Sequence, residues 1–336
     1  MMKSWRLHGA GLDTLKQETD AIPEPGFGEV LVKMHAAAIN HRDLGILAGV
    51  YPNPPGIIPF SDGSGVIAGL GPDVAGLRLG DEVITSFYPY WESGPADADN
   101  HRASLGCEMD GVLAQYAVLP VSALVAKPRT LNHAQASTLP CAGLTAWTAL
   151  FTEGQLQAGQ TVLIQGTGGV AIFALQLAKM AGARVILLSA SEAKAERARD
   201  MGADVTINYR DHPEWAAQVL AATEGRGVDL IIELGGQDTL PQSLNCVKVG
   251  GRISIIGVLS GLVAAIPVPP ILFRHIHMTG ITVGHRSDLR ALCAAIDHNG
   301  LIPVIDGRFA FDDAPGIYAA LPTGAHFGKL VVDIAG

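Results

Sequence analysis

The clearest chemical signal in the chain is the run Gly166-Thr167-Gly168-Gly169-Val170-Ala171, set between the apolar segment Thr161–Gln165 and a helical stretch. Gly166 permits the tight turn after a strand. Gly168 lets a pyrophosphate approach the backbone at a helix N-terminus, and Ala171 is small enough for helix and strand to pack closely. The motif is weak alone; with a strand before it, a helix after it and a second strand at the right distance, residues 184–188, it reads as a dinucleotide site. Ser189 follows that second strand, where NAD-specific folds place a carboxylate for the ribose 2′-hydroxyl. Serine leaves room for a 2′-phosphate, with hydrogen bonds from Ser189 and Ser191 and charge from Lys194 or Arg197. Hydrogen bonds to a charged group contribute about 1.5–3 kcal/mol, roughly ten- to a hundredfold in affinity, so NADPH is the expected cofactor. Glu192 and Glu196 supply the competing reading, in which Lys194 and Arg197 belong to a solvated helix face.

A parallel sheet must hold these positions, and the second part of the chain reads as one. Strands at 161–165, 184–188, 228–232 and 252–256 alternate with helices at 170–181 and 192–201, the pattern of a sheet covered on both faces. The first part is β-rich instead, with strands expected at 29–34, 64–69, 81–84 and 113–118 between Gly/Pro turns, suggesting a small barrel or sandwich. Residues 88–110 show no period and read as a surface loop. At 336 residues the chain exceeds one ordinary core. The fold class expected is therefore α/β, in more than one domain.

Composition narrows the function. A net charge of -9 with no basic run disfavours nucleic acid. Residues 253–273 carry no charge, but Gly257, Gly261, Pro267, Pro269 and Pro270 make a buried strand and loop the better reading than a membrane span. The N-terminus turns polar too soon for a signal peptide, so the cytoplasm is the expected compartment. Cys107, Cys141, Cys246 and Cys293 form no C-x-x-C pair, and His275, His277, His285 and His298 form no metal-protease spacing. Residues 276–283 read as an edge strand able to pair with its twin in a homodimer.

Several ordered motifs run through nearly the whole chain. They include Asn40-His41-Arg42-Asp43, Gly49-Val50-Tyr51-Pro52, Pro59-Phe60-Ser61-Asp62-Gly63, Gly80-Asp81-Glu82-Val83, Leu139-Pro140-Cys141-Ala142-Gly143, the Gly166 turn and His326-Phe327-Gly328-Lys329. On these the chain resembles the medium-chain dehydrogenase/reductase superfamily, and within it the zinc-free quinone oxidoreductase branch. The resemblance implies a GroES-like catalytic domain over 1–124, a Rossmann domain over 125–263, and a segment 264–336 that completes the Rossmann strands and returns to the first domain. It also implies that Tyr209 stacks on or bonds the 2′-phosphate end, with packing on the sheet as the alternative. Gly235, Gly257, Val258 and Leu259 fall at the ligand-binding edge, and Gly328 and Lys329 fall among the cofactor contacts.

Zinc-dependent relatives take their metal with Cys where this chain has Asn40, with His-Glu where it has Ser61-Asp62, and with a third ligand at Cys141. A catalytic zinc needs three Cys, His or carboxylate ligands, so no catalytic metal is expected. Hydrogen bonds must then polarise the acceptor, which suits a quinone or an α,β-unsaturated carbonyl, where the developing charge is delocalised. Asn40 is the expected holder of the enolate oxygen, Tyr51 or water the proton source, and Thr145 a residue that positions nicotinamide. The plain alternatives are that Asn40 caps a helix, Tyr51 packs beside Pro52, and Arg42 and Asp43 form an ion pair. A zinc-type alcohol or ketone dehydrogenase, or a non-catalytic NADPH-binding protein, remain the other functional readings.

Overall fold

The computed structural model describes residues 1–335 and divides into two units, Met1–Leu144 with the residues from Val283 onward, and Thr145–Thr282. The first break falls later than the sequence suggested, and the segment 264–336 divides at Thr282 between the two units. The helix His133–Ala136 packs on the strands Glu29–Ala38 and Asp62–Leu70, which keeps it with the first unit. The strand His277–Gly280 pairs in parallel with Val247–Ile255, which keeps it with the second.

The first unit is GroES-like and centres on a seven-stranded sheet. Its long strand Glu29–Ala38 is flanked by Asp62–Leu70 and Lys329–Asp333, both antiparallel to it. The register sets Ala38 opposite Asp62 on one side and opposite Val331 on the other. Antiparallel pairing means that two residues forward on one strand lie beside two residues back on its partner, so Asn40 arrives next to Lys329. The strand expected at 113–118 is displaced to Tyr116–Pro120. The pair Met2–Leu7 and Leu15–Asp20 was not foreseen. Residues 88–110 lack helix and strand, yet they are no simple surface loop: Leu105 and Cys107 are buried, and Trp91 packs with Tyr88, His101 and His285.

The second unit is a Rossmann fold with six parallel strands in the order Val205–Asn208, Arg184–Ser189, Thr161–Gln165, Val228–Glu233, Val247–Ile255, His277–Gly280. All five residues of Thr161–Gln165 are buried, as expected of a strand with both faces covered. The chain starts in the middle of this sheet, runs out to one edge, then resumes on the other side of Thr161–Gln165. That reversal creates the switch point where open α/β sheets bind ligands. Residues 253–273 end a strand and then form the short helix Val268–Phe273, where a loop was expected. Among the described residues, no helix is long and apolar enough to cross a membrane.

Candidate functional site

In the first unit, the strand ends bring Asn40, Ser61, Asp62, Cys141 and Lys329 into one buried cluster. Asn40 sits at the N-cap of the helix His41–Leu47, where its backbone N–H donates to Asp43 Oδ2 at 2.7 Å. The capping alternative therefore holds for the backbone, but the side chain does something else. Lys329, 4% exposed, donates its Nζ to Asn40 Oδ1 at 2.6 Å and to the Ile39 carbonyl at 2.5 Å. Asn40 Nδ2 is buried without a hydrogen-bond partner. The amide still lies near enough to Asp62 to help hold that carboxyl down, but the pair does not reach hydrogen-bond geometry.

Asp62 is fully buried and accepts from Ser61 Oγ at 2.6 Å and from the Cys141 backbone N–H at 3.0 Å. Burial raises its pKa, while the Lys329 charge and these hydrogen bonds oppose the rise. Burial also raises Asp43, to about 6, against the pull of Arg42. Part of Cys141 remains accessible, yet burial of its surroundings and the neighbouring Asp62 push its thiol up to about 12. Arg42 does not form with Asp43 the ion pair that was the alternative reading. Its guanidinium bonds Ser104 Oγ at 2.8 Å and the Leu105 carbonyl, and lies 4.1 Å from the Phe87 ring centroid, so it tethers the 88–110 segment.

A catalytic zinc does not fit this donor set. The Asn40 oxygen is engaged by an ammonium, both Asp62 oxygens accept protein hydrogen bonds, and Cys141 is left as the only thiol of the set. Among the described residues, no three His, Cys, Asp or Glu side chains are grouped to hold a metal. Tyr51 stays outside the cluster. It is 46% exposed, with its ring laid over Gly45, where any Cβ would strike it. Thr145 is buried and falls in the second unit.

In the second unit the glycine turn has the form its sequence implied. Gly166 adopts φ 78, and its N–H bonds the Leu188 carbonyl at 2.8 Å, tying the turn to the second strand. Gly168 is the N-cap of the helix Gly169–Met180, and a Cβ built there meets no atom within 4 Å. Open space at a helix N-terminus is what a pyrophosphate requires, and Thr167, Gly169 and Val170 line the same turn, so a dinucleotide fits here. Ser189 is buried, and its hydroxyl is spent on the turn, donating to the Ser191 carbonyl at 3.0 Å. Ser191 caps Glu192–Asp200 without a side-chain hydrogen bond, leaving its own hydroxyl uncommitted to the helix. Glu192 pairs with Arg199, and Lys194 is partly buried. Tyr209, 41% exposed, bonds the Ser189 carbonyl through its backbone N–H at 3.1 Å, so the two stand together at the sheet's carboxyl edge.

One residue of this edge escaped the sequence reading. Glu233 is fully buried and accepts from Gln165 Nε2 at 2.7 Å, Ser243 Oγ at 2.5 Å, the Gly235 and Gly236 N–H groups at 3.0 Å each, and Thr239 Oγ1. It fixes the loop that carries Gly235. An acidic residue ending the apolar run 228–232 was the available signal. Gly257 packs against the Leu234 backbone, where a Cβ would meet its carbonyl at 2.2 Å, while Val258 and Leu259 are exposed. Gly328, at φ 90, and Lys329 belong to the first unit and not to this one.

Comparison with known proteins matches residues 26–129 to the alcohol dehydrogenase GroES-like domain and residues 169–298 to the zinc-binding dehydrogenase family. A zinc-type alcohol dehydrogenase-like protein of Schizosaccharomyces pombe is 43% identical, covering 97% of this chain and 96% of its own. A solved structure from Sinorhizobium meliloti, provisionally assigned as an alcohol dehydrogenase, superposes with TM-score 0.94 at 43% identity over 99% of this chain and 98% of its own. An NAD-dependent alcohol dehydrogenase structure reaches TM-score 0.91 at 31% identity, over 99% of this chain and 100% of its own.

Proposed function

Since the chain belongs to the medium-chain dehydrogenase/reductase superfamily of nicotinamide-dependent oxidoreductases, we propose that it reduces a quinone or an α,β-unsaturated carbonyl with NADPH and without catalytic zinc. The observation that carries this reading is the Asn40 amide, which offers a hydrogen-bond donor where a metal-type relative offers a ligand. The bound cofactor supplies hydride. Asn40 Nδ2 donates to the acceptor's oxygen and holds the negative charge that develops there, which is sufficient help only for an acceptor that spreads this charge by conjugation. Tyr51 or water delivers the proton from the exposed side, and Thr145 positions the nicotinamide. Ser191, Lys194 and Tyr209 hold the 2′-phosphate, with Ser189 shaping their turn. Gly235, Gly257, Val258 and Leu259 complete the cofactor edge.

The chain acts in the cytoplasm as a homodimer on this reading. The edge strand His277–Gly280 and the exposed Leu262, Val263 and Phe273 (81%, 78% and 76%) form the surface that a second copy covers. Light scattering after size exclusion checks the mass. The function is tested by following NADPH and NADH oxidation against a panel of quinones and enones. Oxidation of NADPH by these acceptors, and not by simple ketones, is expected; a protein silent across the panel is not such a reductase. The second reading, an alcohol or ketone dehydrogenase, draws on the names of the relatives and requires stoichiometric zinc in the purified protein.

A further inference from the structure

The three sequence positions at which zinc-dependent relatives bind their metal converge here on a positive charge that the chain supplies itself. Lys329 Nζ touches Asn40 Oδ1 and the Ile39 carbonyl. Asp62 accepts from the Cys141 backbone N–H at 3.0 Å, which joins the other two positions in the same cluster. An ammonium carries donors only, so it can meet Asn40 only at the amide oxygen. That contact settles which way the amide faces, an assignment otherwise open for any asparagine. The leftover group is Nδ2, a buried donor near the Asp62 carboxyl that completes no hydrogen bond in the protein. Buried donors are rarely left unpaired, and each such case calls for a reason.

We infer that Lys329 is a built-in cation standing in for the metal: it locks the Asn40 amide with its N–H groups toward the substrate oxygen and lends its charge to the negative charge growing there. The inference rests on the proposed reduction of a conjugated carbonyl or quinone. Lys329 acts through Asn40 and is a positioning residue. It keeps all its protons: hydride comes from the reduced nicotinamide, the balancing proton from Tyr51 or water, and the nicotinamide leaves oxidised. Its ammonium is committed to Ile39 and Asn40, so its role differs from the cofactor contact that its sequence motif implied.

The first test needs no variant. The purified wild-type protein is titrated with Co²⁺ and with Zn²⁺, following thiolate-to-cobalt absorption and metal retained after gel filtration. No retained metal is expected. One equivalent retained in the wild type and lost in Cys141→Ser overturns the inference, because the seat would then belong to a metal. The second test compares Lys329→Met, Lys329→Arg, Asn40→Ala and the Lys329→Met/Asn40→Ala pair. Lys329→Met is expected to lower kcat about a hundredfold while cofactor Kd stays within about twofold; Lys329→Arg recovers part of the loss, and the double variant is no slower than the slower single one. A tenfold weaker cofactor Kd with unchanged kcat, or losses that multiply in the double variant, overturns it. If the wild type reduces no conjugated acceptor, the proposed function falls, and the metal titration alone still decides on Lys329.

Discussion

The two units each bury a carboxylate completely, and they treat it in opposite ways. Glu233 in the Rossmann unit gathers five neutral donors, a saturated arrangement that fixes a loop and leaves nothing over. Asp62 in the catalytic unit has two hydrogen bonds and a nearby ammonium, and the adjoining Asn40 N–H is left without a partner. A saturated network holds a shape, whereas an incomplete one holds a place for something from outside. The contrast separates scaffold from site on physical grounds.

The largest expected effect breaks the saturated side. Glu233→Ala removes the shared acceptor of five donors in the interior and is expected to cost about 3–5 kcal/mol, read as a lower melting temperature, with Glu233→Gln costing less. A melting temperature unchanged by the alanine variant would erase the distinction between the two carboxylates. Next comes Gly168→Ala, whose added Cβ enters open space and meets no atom within 4 Å. Stability is expected to hold while dinucleotide Kd, measured by calorimetry, rises at least about tenfold, or ~1.4 kcal/mol.

A third effect sharpens the catalytic side. Asp43 has its carboxyl raised to about 6 by burial, so the protonated form is favoured in the folded chain. Its contribution to stability is fully present below the ordinary aspartate range near 4 and is lost as pH rises through about 6. Asp43→Asn removes that loss. Melting temperatures of the two proteins are expected to diverge between pH 4 and pH 7, with the variant gaining on the wild type, by at most about 3 kcal/mol.

The Rossmann strands were legible because strands buried on both faces are continuous apolar runs: Thr161–Gln165 appears as read, and residues 184–188 gain only Ser189. The catalytic unit was harder. Glu29–Ala38 carries register shifts near Val32 and Ala36, Leu124–Ala126 has only three residues, and half-buried strands give a broken pattern. Individual site residues showed themselves by type, as Asn40, Asp62 and Cys141 did. Their partners did not, because Lys329 lies 289 residues from Asn40 and only strand pairing joins them. Glu233 was missed for the same reason: Gln165 stands 68 positions away.

The strand that delivers Lys329 is synthesised long after Asn40 and Asp62. At about 5–20 residues per second, the 289 intervening positions take roughly 15 to 60 s to make. Through that interval the nascent first unit lacks the Lys329 charge and the strand that pairs with the far end of Glu29–Ala38. A chain cut before Lys329–Asp333 would carry all six strands of the Rossmann unit and a catalytic unit without that strand.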